Sequence, residues 1–272
     1  MYSLHKTVVS VLLVFLSSSA AGGDPYRIPA GAEGAGMGSV CVMRNGFWSS
    51  FQNQALLTGN KSFAAGINYE NRFNISEIGT RTGGVIIPAG EASLGVIYSH
   101  FGYTHFTRQL AGLSCGLSLS DAVDAGVQID YIAERTSGEY DNRHILTFEA
   151  GLLISPKENI SIGIHLFNPV PGSIRKSFLP TGLRAGAGID LSKVLFAGAE
   201  AEMSTGEKLI IRTGFEYKVF EKIMLRGGLS TGNTSFSFGL GYRYKALNLD
   251  LSFATHERLG ITSNASVIFI FK

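Results

Sequence analysis

Four histidines lie close in sequence to groups that could complete a hydrolytic site: His100, His105, His144 and His256. Ser99 or Thr104 could supply a nucleophile, and Asp141 could supply an orienting carboxylate, which is the set that nucleophilic catalysis needs. No serine, however, lies in a G-x-S-x-G motif or another recognisable lipase or protease motif. No residue spacing predicts a metal site either. We therefore expect neither an enzyme nor a cofactor.

A second set of polar residues carries charges of both signs: Glu149, Arg184, Glu200, Glu202, Arg212, Glu216, Arg226, Arg243 and Asp250. They lie opposite apolar residues in alternating runs, so they could line a common interior. A selective pore more often lines its constriction with charges of one sign. Mixed signs instead predict a network of internal salt bridges. His165 is expected on the same face, as a hydrogen-bonded residue rather than a ligand.

The alternation also shows which elements must position these charges. In residues 193–218, two alternating runs flank the turn 204–207, and this pattern predicts a hairpin with one apolar face. The pattern recurs and predicts fourteen strands: 61–70, 77–87, 91–101, 105–118, 122–134, 143–154, 158–167, 181–190, 193–203, 207–217, 221–230, 234–244, 246–255 and 261–271.

The connections between the predicted strands alternate in length. Even-numbered connections are tight, from Pro88–Glu91 to Lys245–Ala246, whereas the odd-numbered ones include Arg135–Asn142, Asn168–Pro180 and His256–Gly260. Bacterial outer-membrane barrels have short periplasmic turns, longer outer loops and an even number of strands. Residues 61–272 are therefore predicted to form an all-β, 14-stranded antiparallel transmembrane β-barrel with both termini in the periplasm.

Composition and the N-terminus agree with export to the bacterial outer membrane. The apolar stretch Val8–Leu16 and the small residues before Gly22 predict a Sec signal peptide at residues 1–21. No later apolar run approaches the roughly 20 residues of a membrane helix. Charged residues make up 16% of the chain, below the norm of about 25% for soluble domains. The net charge of +2 argues against a nucleic-acid partner.

The apolar face of each strand is expected to contact lipid. A soluble β-sandwich would instead bury this face and expose the charged one. The strand lengths, the sorted connections and the tyrosines near strand ends favour the membrane barrel. In this arrangement Ile211 is expected near the middle of the membrane. The histidines near the outer strand ends are expected among lipopolysaccharide headgroups.

Residues 22–60 are rich in small residues and lack sustained alternation. A barrel of fourteen strands has more interior room than its own side chains fill. Its inward face also contains many glycines: Gly66, Gly95, Gly112, Gly126, Gly151, Gly163, Gly186, Gly188, Gly198, Gly214, Gly228, Gly239 and Gly241. Glycine weakens a strand unless another group must approach the backbone or the strand must bend. We expect residues 22–60 to form a plug in or under the lumen. The alternative is that the glycines only permit strand coiling.

Two short motifs in this segment carry a family resemblance. Residues 31–40 and 53–57 resemble the G-x-x-x-x-G-M-G-x-A run and the N-P-A-x-L box of barrels related to the long-chain fatty-acid transporter (FadL), particularly the PorV- and PorQ-type branch of type IX secretion barrels. The positions that carry the resemblance are Gly36, Met37, Gly38, Asn53 and Ala55. Gln54 stands where the box has proline. The resemblance implies a plugged, 14-stranded barrel.

The resemblance also implies a function. The transporter family implies passage of small hydrophobic molecules, with release sideways or through the plug. The secretion branch implies a non-transport accessory barrel of a secretion or surface-display system. A purely structural outer-membrane protein is the third hypothesis. The longest outer connection, Asn168–Pro180, offers a lipid only Val170, Ile174, Phe178 and Leu179. That is little for the ligand groove that fatty-acid transporters build from long outer insertions.

These hypotheses predict different partners. Outer-membrane lipid and lipopolysaccharide surround the barrel in every case. Transport adds a hydrophobic small molecule, and the accessory role adds a partner protein of the secretion system.

Overall fold

The computed structural model describes residues 29–137, 142–169, 179–232 and 236–271. The predicted signal peptide at residues 1–21 lies outside the described residues, as do residues 22–28 of the predicted plug. Among the residues that are described, no helix is long and apolar enough to cross a membrane.

Fourteen antiparallel strands close into a barrel in which β1 pairs with β14. The strands are β1 Ala64–Asn71, β2 Gly79–Ala89, β3 Ala92–Tyr103, β4 Phe106–Ser120, β5 Val123–Thr136, β6 Arg143–Lys157, β7 Ile160–Phe167, β8 Gly182–Ser192, β9 Leu195–Ser204, β10 Ile210–Phe220, β11 Ile223–Ser230, β12 Phe236–Tyr244, β13 Leu247–His256 and β14 Gly260–Ile270. Each strand overlaps a predicted one and differs from it by a few residues at the ends. The predicted 14-stranded barrel is confirmed.

The two ends of the barrel have different connections. All six even-numbered connections, from residues 90–91 to residues 245–246, contain two residues each. We call this end of the barrel the tight-turn end. The opposite end, the loop end, contains longer connections at 72–78, 137–142 and 168–181. The side chains of Val170, Ile174 and Phe178 lie outside the described residues.

Apolar side chains cover the outside of the barrel. Leu146, Ile67 and Leu113 are 71%, 66% and 62% exposed, whereas the alternate positions of the same strands are mostly buried. The outward Phe215 lies at the centre of β10, while Ile211 is one residue from the loop end of that strand. The sequence-based placement of Ile211 near mid-membrane is therefore wrong, because β10 begins later than predicted.

Residues 29–60, called the plug below, lie inside the barrel. The plug contains one short helix, α1 (Gly31–Gly36), and 3-10 turns at Ser49–Phe51 and Gln54–Gly59. Helix α1 packs against β11–β14 and β1, and the turn Gln54–Gly59 packs against β2–β6. The plug thus spans the lumen from one wall to the other. Two more 3-10 turns, Arg72–Asn74 and Ser76–Ile78, lie at the loop end.

Candidate functional site: the lumen and its plug

A girdle of glycines surrounds the plug, with a contribution from every strand between β1 and β12: Gly66, Gly84, Gly95, Gly116, Gly126, Gly151, Gly163, Gly186, Gly198, Gly214, Gly228 and Gly239. At each of them a Cβ atom would come within 3.1 Å of a plug atom. Contacts this close require something to move, so these positions exclude larger residues while the plug is in place. Gly112 and Gly241 also face inward, but their nearest neighbours are wall side chains.

The residues of the first plug motif pack directly against this girdle. Gly36 meets the backbone of Gly239, and the carbonyl of Met37 meets Gly214. The side chain of Met37 is fully buried. Gly38 adopts a positive φ of 68°, and its N–H donates to Oγ of Ser237 at 2.7 Å. This motif therefore lets the plug backbone approach β10–β12 closely.

The residues of the second motif anchor the plug to the opposite wall. Nδ2 of Asn53 donates to the carbonyl of Val42 at 2.6 Å and to that of Leu152 at 3.1 Å. Oδ1 of Asn53 accepts from the N–H of Ala55 at 3.1 Å and so caps the turn Gln54–Gly59. Gln54 stands where the N-P-A-x-L box has proline, and its side chain hydrogen-bonds with Glu149 of the wall.

The predicted lumen charges form three clusters that contact the plug. The Arg184 cluster contains Arg184, Glu200, Glu202 and Arg212, all buried on β8–β10. Arg184 donates from Nε to Oε1 of Glu200 at 2.6 Å, and Arg212 pairs with Glu202 at 2.7 Å. Arg184 also donates to Oε1 of Gln52 at 3.0 Å, and Glu200 accepts from the N–H of Cys41 at 3.1 Å. Charges on two neighbouring strands of the wall thus contact the middle of the plug.

The Arg226 cluster holds the region around α1. It contains Arg226, Glu216, Asp250 and the plug residues Glu33 and Arg44. Arg226 pairs with Glu216 at 2.7 Å and with Asp250 at 2.6 Å, and Arg44 pairs with Glu216 from the plug side. The guanidinium of Arg44 also stacks 4.1 Å from the ring centroid of Phe196. Burial raises the pKa of Glu33, and although Arg226 opposes this shift, Asp250 and Glu216 reinforce it.

The Glu149 cluster lies on the inner face of β5–β7 and contains Gln54, Gln128, Asp130, Glu149 and His165. Glu149 accepts from Nε2 of Gln54 at 2.6 Å and lies 2.9 Å from Nε2 of His165. Gln128 donates to Oδ1 of Asp130 at 2.8 Å. All five side chains are buried. In this cluster, too, a plug residue contacts the wall.

Arg243 is the predicted lumen charge that forms no ion pair with the described residues of these clusters, although its charge acts on Glu216 from a distance. It lies next to the last residue of β12, at the tight-turn end, and its side chain is exposed. Because Arg243 occupies an inward-facing position at the end of β12, it lies at the rim of the lumen. Conversely, the plug partners Glu33, Arg44 and Gln52 were not predicted, because the plug has no strand or helix periodicity that could indicate which residues face the wall.

An apolar cluster fills part of the lumen beside the plug. It contains Phe47, Trp48, Phe51 and Leu57 of the plug together with Ala64, Ile86, Ile97, Leu110, Ile132, Phe167, Ile268 and Leu179. The rings of Phe47 and Trp48 meet edge to face, with their centroids 4.9 Å apart. Nε1 of Trp48 is buried, and no atom of the described residues accepts a hydrogen bond from it. The apolar cluster thus includes a buried donor to which the described residues offer no acceptor.

Among the described residues, Ser99 and the adjacent His100 do not form a hydrolytic pair. Ser99 faces inward and shares a hydrogen bond with Thr82 at 3.2 Å, whereas the adjacent His100 lies on the other face of β3. Nδ1 of His105 lies 2.8 Å from Oγ of Ser137, and Nδ1 of His144 lies 2.7 Å from the hydroxyl of Tyr131. Asp141 lies outside the described residues.

Comparison with known proteins shows the fold. Neither a family model nor a curated protein matches the sequence. Among solved structures, a Pseudomonas aeruginosa FadL homologue matches with a TM-score of 0.68 at 11% identity, over 94% of this chain and 100% of that one. The Pseudomonas putida toluene transporter TodX matches with a TM-score of 0.63 at 11% identity, over 93% and 98% of the two chains. The chain therefore has the 14-stranded barrel fold of FadL-like proteins.

Proposed function

We propose that this chain is an outer-membrane barrel through which small hydrophobic molecules pass. The observation that carries the proposal is the apolar cluster inside the lumen. Water-filled barrels have polar interiors, whereas here aromatic plug residues meet aliphatic residues of the wall and Leu179 at the loop end. A hydrophobic molecule could replace these contacts with equivalent ones.

The outer surface supports placement in a membrane. Large apolar side chains are exposed on every side of the barrel, and such a surface is stable in lipid rather than in water. By the loop-length rule for these barrels, the tight-turn end faces the periplasm. Both ends of the barrel sheet, Ala64 and Ile270, belong to that end. Outer-membrane lipid and lipopolysaccharide are then the surrounding partners.

The polar contacts between the plug and the wall limit how a molecule could pass through the barrel. The Arg184, Arg226 and Glu149 clusters hold the plug at three places on the wall, so a molecule must pass beside the plug or displace part of it. The apolar cluster is the part of the lumen in which a hydrophobic molecule could pass beside the plug. The unused Trp48 N–H would suit a hydrophobic molecule that carries an acceptor oxygen.

Uptake of a hydrophobic probe into proteoliposomes tests this function. Leu110→Asp places a charge inside the apolar cluster and should abolish protein-dependent uptake. Leu117→Asp is the matched control, because Leu117 lies on the opposite face of β4 near the tight-turn end. Equal uptake by two correctly folded variants would contradict passage through this part of the lumen.

The short loop-end connections favour a second candidate function. Apart from residues 168–181, the connections at this end contain no more than seven residues each. They offer little surface for a ligand groove outside the barrel. An accessory barrel of a PorV- or PorQ-like secretion or surface-display system would not need such a groove. Native mass spectrometry in mild detergent separates the candidates, because a stoichiometric protein partner supports the accessory role and a bound lipid supports transport. If neither co-purifies, the purely structural role is favoured.

A further inference from the structure

Two lysines converge on one tyrosine at the tight-turn end of the barrel. Nζ of Lys222 lies 5.8 Å from the ring centroid of Tyr244, and Nζ of Lys245 lies 5.4 Å from the same centroid. Both distances are within the range of about 6 Å over which an aromatic ring attracts a cation. We call Lys222, Tyr244 and Lys245 the Tyr244 site.

The pairing of β11 with β12 brings the two lysines together. Lys222 belongs to the tight turn between β10 and β11, and its carbonyl accepts from the N–H of Arg243 at 2.9 Å. Lys245 follows Tyr244 in the tight turn between β12 and β13, where it adopts a positive φ of 52°. Two neighbouring turns thus place their ammonium groups beside one ring.

The charge of this site is not balanced within the part of the chain that the structure describes. Both lysines are exposed, and neither forms an ion pair with a carboxylate of the described residues. Two ammonium groups near one ring repel each other, and a tyrosine ring attracts a cation only weakly at an exposed position. An anion that contacts both ammonium groups would remove this repulsion.

The Tyr244 site belongs to the outer surface of the barrel. Tyr242 and Tyr244 are 41% and 46% exposed, and they alternate with inward positions of β12 in the same way as the outward Leu240. The two rings stack with their centroids 6.5 Å apart and an interplanar angle of 7°. Tyrosines at the end of a membrane strand lie at the level of the lipid headgroups. The two lysines therefore lie where the phosphates of a lipid leaflet are found.

Charge is distributed unevenly around the tight-turn end. The turns that carry Lys222 and Lys245 contain one carboxylate, Glu221. The turns Gly90–Glu91 and Asp121–Ala122, between β2 and β5, each contain a carboxylate and no lysine or arginine. An anionic headgroup is therefore attracted to the side at β10–β13 and repelled from the side at β2–β5.

We propose that the Tyr244 site binds the phosphate of an anionic phospholipid in the leaflet at the tight-turn end. Lysine ammonium groups bind phosphate as point charges, and clusters of basic residues at a membrane surface recognise anionic lipids. An acidic periplasmic protein could also meet the lysines, but the stacked tyrosines face the hydrocarbon side, which favours a lipid. The proposal rests on the membrane placement proposed above and not on the passage of hydrophobic molecules.

Native mass spectrometry of the chain refolded into a non-ionic detergent measures this binding without bacterial lipid. We expect phosphatidylglycerol to bind at least about fivefold more tightly than phosphatidylcholine with the same acyl chains. Millimolar inorganic phosphate should leave the bound lipid in place. Equal affinity for the two lipids would overturn the proposal and favour an acidic protein as the occupant. Displacement by inorganic phosphate would show a site for soluble anions and would overturn the lipid assignment.

Three variants locate the site. Lys222→Gln and Lys245→Asn should each weaken phosphatidylglycerol binding about fivefold, the contribution of one lysine near an anionic surface. Asparagine tolerates the positive φ of residue 245. Arg243→Gln is the matched control, because it removes one charge between the two tyrosines but from an inward-facing position, and it should bind the lipid like the wild type. Equal losses in Arg243→Gln and Lys222→Gln would mean that binding follows net charge, which would overturn the site.

The two proposals can fail separately. Leu110→Asp changes the lumen and should bind phosphatidylglycerol like the wild type, whereas its uptake of a hydrophobic probe should be lost. Lys222→Gln should show the reverse, with normal uptake and weakened lipid binding. Loss of lipid binding in Leu110→Asp, with its barrel correctly folded, would contradict a site on the outer surface.

Discussion

Asn53 of the plug and Gly151 of β6 occupy complementary space. Oδ1 of Asn53 lies where a side chain on Gly151 would begin, and Nδ2 of Asn53 donates to the carbonyl of Leu152, the next residue of the strand. The turn Gln54–Gly59 therefore takes its position in the space that the missing side chain of Gly151 leaves. The same holds around the girdle, where wall glycines face plug backbone or plug side chains.

Replacing Gly151 should displace the plug without opening the barrel. Gly151→Val puts a branched side chain into the space of Asn53, while the closing pair of β1 and β14 stays intact. We expect larger single-channel conductance in planar bilayers than for the wild type. Gly83→Val is the control, because a Cβ at Gly83 has only one atom within 4 Å, at 3.9 Å. Equal conductance of the two variants would show that the plug does not depend on the girdle.

Removing one partner of a buried ion pair should destabilise the protein strongly. Arg184 is 4% exposed and Glu200 is 2% exposed, so Arg184→Met leaves a buried carboxylate without its main partner. The expected cost is about 3–5 kcal/mol. Arg243→Met, which removes an exposed charge from the rim, should change stability by no more than about 0.5 kcal/mol. Reversible urea unfolding in lipid vesicles measures the free energy of unfolding of both variants. Similar small losses of this free energy in the two variants would mean that the Arg184 cluster contributes little to stability.

The barrel was predictable because its environment imposes a period of two on every strand. Residues that face outward must be apolar, whereas many residues that face inward are polar or small, so β6 could be located from its alternation alone. The charges on β8–β10 were predictable as inward-facing for the same reason. Strand ends were less certain, because the alternation weakens near the turns, and the displaced position of Ile211 is the result.

The contacts between the plug and the wall could not be predicted in the same way. Glu33 and Arg44 lie in a segment without periodicity, and Arg44 contacts Glu216, which is 172 positions away along the chain. Only the three-dimensional path of the plug brings such residues together. The glycines of the inner face did indicate that space was needed, but they did not show which plug residue fills each position.

The protonation of Glu33 should make the stability of the plug depend on pH. Its pKa is raised in the folded protein, mainly by burial. The stabilisation relative to Glu33→Gln is therefore largest below the unfolded-state pKa of about 4.5 and declines as the pH rises through the raised value. Urea unfolding between pH 4 and about pH 8 measures this difference. Glu77→Gln is a control for which the opposite pH dependence of stability is expected. Hydrogen bonds from the backbone N–H of Glu77 and, to a smaller extent, from Ser76 lower the pKa of Glu77. A constant difference between the wild type and Glu33→Gln would contradict the assignment.

The depth of a residue in the membrane should decide the cost of a charge on the outer face. Phe215 is 47% exposed at the centre of β10, and Ile211 is 38% exposed one residue from the loop end of the same strand. Phe215→Arg should cost about 2–4 kcal/mol in a bilayer, and Ile211→Arg about 0–1 kcal/mol. Unfolding from lipid vesicles measures both costs, with detergent micelles of adaptable thickness as a comparison. If Phe215→Arg and Ile211→Arg had equal costs in bilayers, β10 would not cross the membrane with Phe215 near its centre.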